Sequence, residues 1–167
     1  MKIELKSIKF SEAMSEETNA FTANLYINGK NVGYCKNTGQ GGCTDYNANS
    51  PEDRKTIADA EVYCKALPKT KWKDMEFDQS LESVIDQLLE DWFKVKGDKK
   101  MEKQMQTCIL IGSPDENRGS YSYYKFKKPL SEIPQGQLQA SVFRIKNKLN
   151  SGEAILNTNL KQLGITV

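Results

Sequence analysis

The stretch Phe21-Thr-Ala-Asn-Leu-Tyr-Ile-Asn-Gly-Lys-Asn-Val-Gly, residues 21–33, decides the fold class. Phe21, Ala23, Leu25 and Ile27 recur at period two, the spacing of a half-buried strand. Asn28-Gly29 follows them, and both central positions of a type I′ turn need positive φ, which Asn and Gly tolerate best. With those two residues as the loop, Ile27 is expected opposite Lys30, Leu25 opposite Val32 and Ala23 opposite Tyr34. The apolar residues of both strands then share one face. Upstream, Ile3 and Leu5 alternate in one phase and Ile8 and Phe10 in the other, which predicts an extended segment with a bulge near Lys6–Ser7.

Downstream, residues 37–49 (NTGQGGCTDYNAN) lose all apolar period and read as a loop. Ser50-Pro51-Glu52-Asp53 is a well-formed helix start, with Ser to cap, Pro for the first helical position and two acids for the positive end of the dipole. Ile57, Ala60, Cys64 and Leu67 mark its inner stripe, and Pro68 stops it. Lys69–Asp78 reads as a polar connection. Ser80 can cap a second helix whose broad apolar face runs from Leu81 through Val84, Ile85, Leu88, Leu89, Trp92 and Phe93, ending at Gly97 or continuing to about Gln106. Cys108–Ile111 predicts a buried strand, Ser113–Gly119 a turn, and Tyr121–Lys127 a strand pairing back. Leu130 and Pro134 lead into a third helix, with Leu138, Val142, Ile145 and Leu149 at helical spacing and Ser151-Gly152 as its end. The expected architecture is one α+β domain over 1–167, a mostly antiparallel sheet of about five strands with about three helices on one face.

Composition narrows function by exclusion. The 167 residues contain no histidine, so no His-dependent triad, Cys–His dyad or His-ligated zinc site can be built from this chain alone. The four cysteines, at 35, 43, 64 and 108, form no C-x-x-C pair, and they read as reduced thiols acting mostly as small hydrophobes. The start MKIELKSIKF alternates charge with apolar residues and lacks a signal-peptide core, and no run approaches the ~20 apolar residues of a membrane helix. The expected location is the cytoplasm, with no membrane association, no cofactor and no metal.

Three constellations bear on chemistry. Asn37, Gly39, Gly41 and Gly42 follow a strand and precede a helix, as phosphate-binding loops do, but the Gly-Lys-Ser/Thr end of a P-loop is missing. The plain alternative is a wide connection out of the hairpin. The formal charge of +2 hides a division: −4 over residues 1–117 and +6 over 118–167. Within the basic part, Tyr121, Tyr123, Lys125 and Lys127 share one strand face, and Arg144 and Lys148 lie on the following helix. Aromatic rings beside lysines can stack bases and hold phosphates. The same residues also suit an edge strand that must not aggregate. Between Asp74 and Phe93 stand seven acids and no base, and between Lys94 and Lys103 five bases and two acids, an order the helix macrodipole favours by itself.

The hairpin at 21–33, the glycines at 37–42 (NTGQGG) and the closing Ala154-Ile-Leu-Asn-Thr-Asn-Leu resemble a segment found in small uncharacterised proteins of phages and other mobile elements. The resemblance covers the N-terminal third and the short closing piece. It implies an accessory protein of a bacterium or its phage and carries no catalytic residues. The leading expectation is a non-catalytic interaction protein binding a host or phage protein, one form of which is a modulator of a host system. The alternatives are a nucleic-acid-binding accessory protein using the basic C-terminal third, and a carboxylate- or metal-dependent enzyme acting on a nucleotide or nucleic acid.

Overall fold

In a computed structural model, which describes residues 1–73, 75–114 and 121–167, the chain divides into two compact units, Met1–Phe93 and Lys94–Val167. The first unit is built on a four-stranded antiparallel sheet, in order β1 (Ile3–Phe10), β2 (Phe21–Ile27), β3 (Lys30–Asn37) and β4 (Asp45–Ala48). The β1 bulge falls where the phase change places it: the register shifts between Lys6 and Lys9, and Ser7 adopts φ 54°. Asn28 and Gly29 form the β2–β3 turn with φ of 50° and 84°.

The register of that hairpin differs from expectation beyond its first pair. Ile27 pairs Lys30, but Leu25 pairs Gly33 and Ala23 pairs Cys35, because β3 accommodates an extra residue opposite Leu25–Tyr26. The bulge turns Val32, Gly33 and Cys35 inward and leaves Tyr34 exposed. Gly33 is required there, since a Cβ would meet the Asn47 carbonyl oxygen of β4 at 2.1 Å. β4 itself corrects the reading of 37–49 as wholly loop: Asp45–Ala48 pairs with β3, its short polar alternation too weak to register as a strand.

Helix α1 (Pro51–Lys65) starts as its sequence dictates, with the Ser50 hydroxyl accepting from the Asp53 amide at 3.1 Å. It buries Ile57, Ala60 and Cys64 over the sheet, and Leu81, Ile85 and Leu89 of α2 (Leu81–Met105) join the same core with Leu25, Ile27, Val32 and Cys35. Each fully buried Leu or Ile contributes about 1.5–3 kcal/mol. The connection at 69–78 is not merely polar loop: β5 (Thr70–Trp72) and β6 (Met75–Phe77) pair as a small hairpin of three residues a side. Gly97 does not end α2, which runs on to Met105 and so passes from the first unit into the second.

The second unit centres on β7 (Cys108–Gly112), buried at all five positions. It lies between β8 (Ser122–Lys125) and β9 (Ala154–Ile155) in an antiparallel sheet. Its alternation serves two cores. Ile109 and Ile111 pack with Leu138, Val142 and Ile145 of α3 (Gln135–Lys146), while Cys108 and Leu110 pack with Met101 and Met105 of α2. α3 ends at Lys146, earlier than Ser151-Gly152. Beyond it the backbone and side-chain nitrogens of Asn150 donate to Glu153 Oε2 at 2.7 and 2.9 Å and fix a separate turn. The expected turn over Ser113–Gly119 lies outside the described residues from 115 onward, as does Arg118.

The fold is therefore α+β, with three α-helices and antiparallel sheets among the described residues. The nine strands described exceed the expected five by β4, β5, β6 and β9, all of four residues or fewer. Met1–Phe93 and Lys94–Val167 each hold a core of their own. No helix among the described residues is long and apolar enough to cross a membrane.

Candidate functional site

The Gly-rich loop between β3 and β4 is organised by Asn37. Its Oδ1 accepts from the Gly39 amide and the Thr18 hydroxyl, both at 2.9 Å. Its Nδ2 donates to the Gly42 carbonyl at 2.9 Å and to Thr44 Oγ1 at 3.3 Å. The Gly41 amide donates to Thr18 Oγ1 at 3.3 Å. Gly39 takes φ 87°, and a Cβ on it would meet the Met14 carbonyl oxygen at 2.1 Å. Its own carbonyl accepts from the amides of Glu16, Glu17 and Thr18. The glycines thus permit close backbone contact with the 14–18 segment, and the Gly39 and Gly41 amides are occupied within the protein.

Thr44 carries the loop onto α2. It is buried, its amide donates to Glu82 Oε1 at 3.0 Å, and its hydroxyl donates to Asp86 Oδ1 at 2.7 Å. One turn further along, Glu90 Oε1 accepts from Asn19 Nδ2 at 3.2 Å. Glu82, Asp86 and Glu90 stand at i, i+4 and i+8, so one helix face presents three carboxylates. Together with Glu17 they line a cavity of about 320 Å³, wholly within the first unit, whose walls also include Phe21 and Leu89. No lysine or arginine lines it among the described residues.

The electrostatics follow from that crowding. Desolvation pushes the Asp86 carboxyl above its ordinary value, and Glu82 and Glu90 add to the rise, while the Thr44 hydroxyl opposes it. The Glu82 carboxylate raises the thiol of Cys43, the one exposed cysteine of the four. Cys35, buried beneath, is pushed up to about 12, mainly by burial and further by Asp86. A site of this sign repels phosphate and attracts cations. Among the described residues no three Cys, Asp or Glu side chains converge as a metal-ligand set.

Sequence reasoning singled out Asn37, Gly39, Gly41 and Gly42, which the structure brings together. It did not single out Glu17, Thr44, Glu82, Asp86 or Glu90. A signal was present: like charges at i, i+4 weaken a helix, so a carboxylate ladder needs a reason beyond the macrodipole.

The residues of the expected basic face are distributed differently. Paired strand residues share a face, so Tyr123 lies with Leu110 on the side of β7 that meets α2. Tyr121 packs into that same cluster, its hydroxyl donating to Gln104 Oε1 at 2.5 Å. Tyr123, Lys125 and Lys127 are exposed. Arg144 on α3 is exposed, and so is Lys148, which lies two residues past the helix end rather than on the helix as expected; α3 packs on Ile109 and Ile111, the opposite side of β7. The strand and the helix therefore do not form one continuous basic surface.

The charge division sharpens at the boundary of the units: 11 basic against 16 acidic residues over 1–93, a net −5, and 13 against 6 over 94–167, a net +7. No family model, curated protein or solved structure matches the chain.

Proposed function

We propose that this is a small non-catalytic interaction protein that holds a basic segment of a protein partner in the cavity of its first unit. The observation that carries the reading is the set of four carboxylates, without a basic side chain among the described residues, lining a cavity that also offers Phe21 and Leu89. A lysine or arginine matches that combination, its stem against the apolar walls and its head among the carboxylates. A free small cation would gain only screened attraction at such a site. A partner's surface adds buried area around the cavity rim. The Asn37–Thr44–Asp86 chain of hydrogen bonds holds the loop before the partner arrives, which lowers the ordering cost of binding.

Fluorescence anisotropy with a labelled peptide of alternating arginine and glycine tests this. Salt-sensitive binding is expected, weakened about tenfold or more when Glu82→Gln and Asp86→Asn are combined. Equal affinity for the double variant, or tighter binding of a glutamate-rich peptide of the same length, would overturn the proposal.

A further inference from the structure

The second unit carries an exposed aromatic and basic strand of its own. β8 is the outer strand of its sheet, and among the described residues no strand pairs with its free edge. All four of its residues are exposed, including Tyr123 at 54% and Tyr124 at 45%. Lys125 follows Tyr123 at i+2 on the same face, and beyond the half-buried Phe126, Lys127 and Lys128 are exposed as well. The surrounding unit has net charge +7. On α2, which packs against this face of β7 through Met101 and Met105, Lys100 and Lys103 are exposed as well.

We infer that this edge binds single-stranded nucleic acid, with Tyr123 stacking on a base and Lys125, Lys127 and Lys128 meeting phosphates. Charge complementarity selects a polyanion. The half-exposed ring in mid-strand selects within that class: an acidic peptide would use the lysines and leave Tyr123 in water, whereas an unpaired base covers its π-face. Bases in a duplex are already stacked and cannot reach it. The hydrogen bond from Tyr121 to Gln104 fixes the strand entry and leaves Tyr123, not Tyr121, as the platform. Three phosphate contacts on a single strand predict a salt slope of about −2 in log K against log salt.

The test uses the full chain and a fluorescein-labelled oligothymidine at low salt, with circular dichroism confirming that each variant folds. Binding to the single strand should exceed binding to a duplex of equal length. Tyr123→Ala should weaken it about tenfold. Lys125→Gln with Lys127→Gln should weaken it strongly, and Arg144→Gln with Lys148→Gln, which removes the same charge from the last turn of α3 and the residues just past it, far less. Absence of binding at low salt, equal loss from the two double variants, or competition by polyglutamate as effective as by unlabelled oligothymidine would each overturn the inference.

Discussion

The side chain of Asn157 takes the place of a strand opposite Leu110. Its Oδ1 accepts from the Leu110 amide at 2.7 Å, and its Nδ2 donates to the Cys108 carbonyl at 2.9 Å. β9 pairs with β7 only at Ile111 and Gly112, so Asn157 extends that edge by two backbone groups. Asn159 completes the arrangement by donating from Nδ2 to the Met105 carbonyl at the end of α2. Replacing Asn157 by Ala leaves a buried amide and a buried carbonyl without these partners. A loss of about 1–3 kcal/mol is expected in urea unfolding. A change within a few tenths would show that the pairing is dispensable.

Two glycines should respond in opposite directions. Gly97 lies within α2, and a methyl group added there would meet nothing within 4 Å, so Gly97→Ala should stabilise by about 0.5–1 kcal/mol. Gly39→Ala places a methyl on the Met14 carbonyl at positive φ and should lower the melting temperature. Destabilisation by Gly97→Ala, or tolerance of Gly39→Ala, would contradict the respective geometry.

Asp53 and Asp86 should shape opposite parts of the pH–stability curve. The Lys30 ammonium, 2.7 Å from Asp53, and then the Ser50 hydroxyl hold the Asp53 carboxyl below its ordinary value. Its contribution is present above the unfolded-state pKa and is lost as pH falls through the folded one. Asp86, raised mainly by desolvation, favours the fold in its protonated form, so its penalty grows as pH rises from the unfolded-state pKa through its elevated folded one. Asp53→Asn should flatten the acid limb of the melting curve, and Asp86→Asn should remove a decline that begins in the ordinary carboxylate range. Identical pH profiles for both variants would contradict these assignments.

Thiol labelling reports the seat of the Gly-rich loop on α2. Under native conditions Cys43 alone should react readily, and all four cysteines should react in denaturant. Because Glu82 raises the Cys43 thiol, Glu82→Gln should accelerate its labelling at neutral pH. An unchanged rate would show that Cys43 does not sense Glu82.

Local patterns in the chain are legible wherever one face is buried. The Asn28-Gly29 turn, the β1 phase change, the Ser50 cap and the stripes of α1 and α2 all emerge that way, because burial imposes a period on the sequence. β4, β5, β6 and β9 escape because strands of two to four residues are too short to show a period. The hairpin register slips because Val32 and Gly33 both turn inward, and Gly33, small enough to approach Asn47, is the trace of that bulge. The glycines at 39–42 are legible as a special loop. The partners of Thr44 on α2 are some 40 residues away in sequence, and only the fold brings it to Glu82 and Asp86. The closing segment resists reading for a similar reason: Asn157 and Asn159 act through side-chain bonds to β7 and α2, which no local period records.

The central claim is that the acidic cavity of the first unit takes a basic peptide segment, and residue-resolved NMR titration with the arginine–glycine peptide tests it most directly. Progressive shifts are expected at the Gly41, Gly42 and Thr44 amides and along α2 from Glu82 to Glu90, abolished by Glu82→Gln with Asp86→Asn. Shifts absent from these residues, or persisting undiminished in that variant, would contradict it.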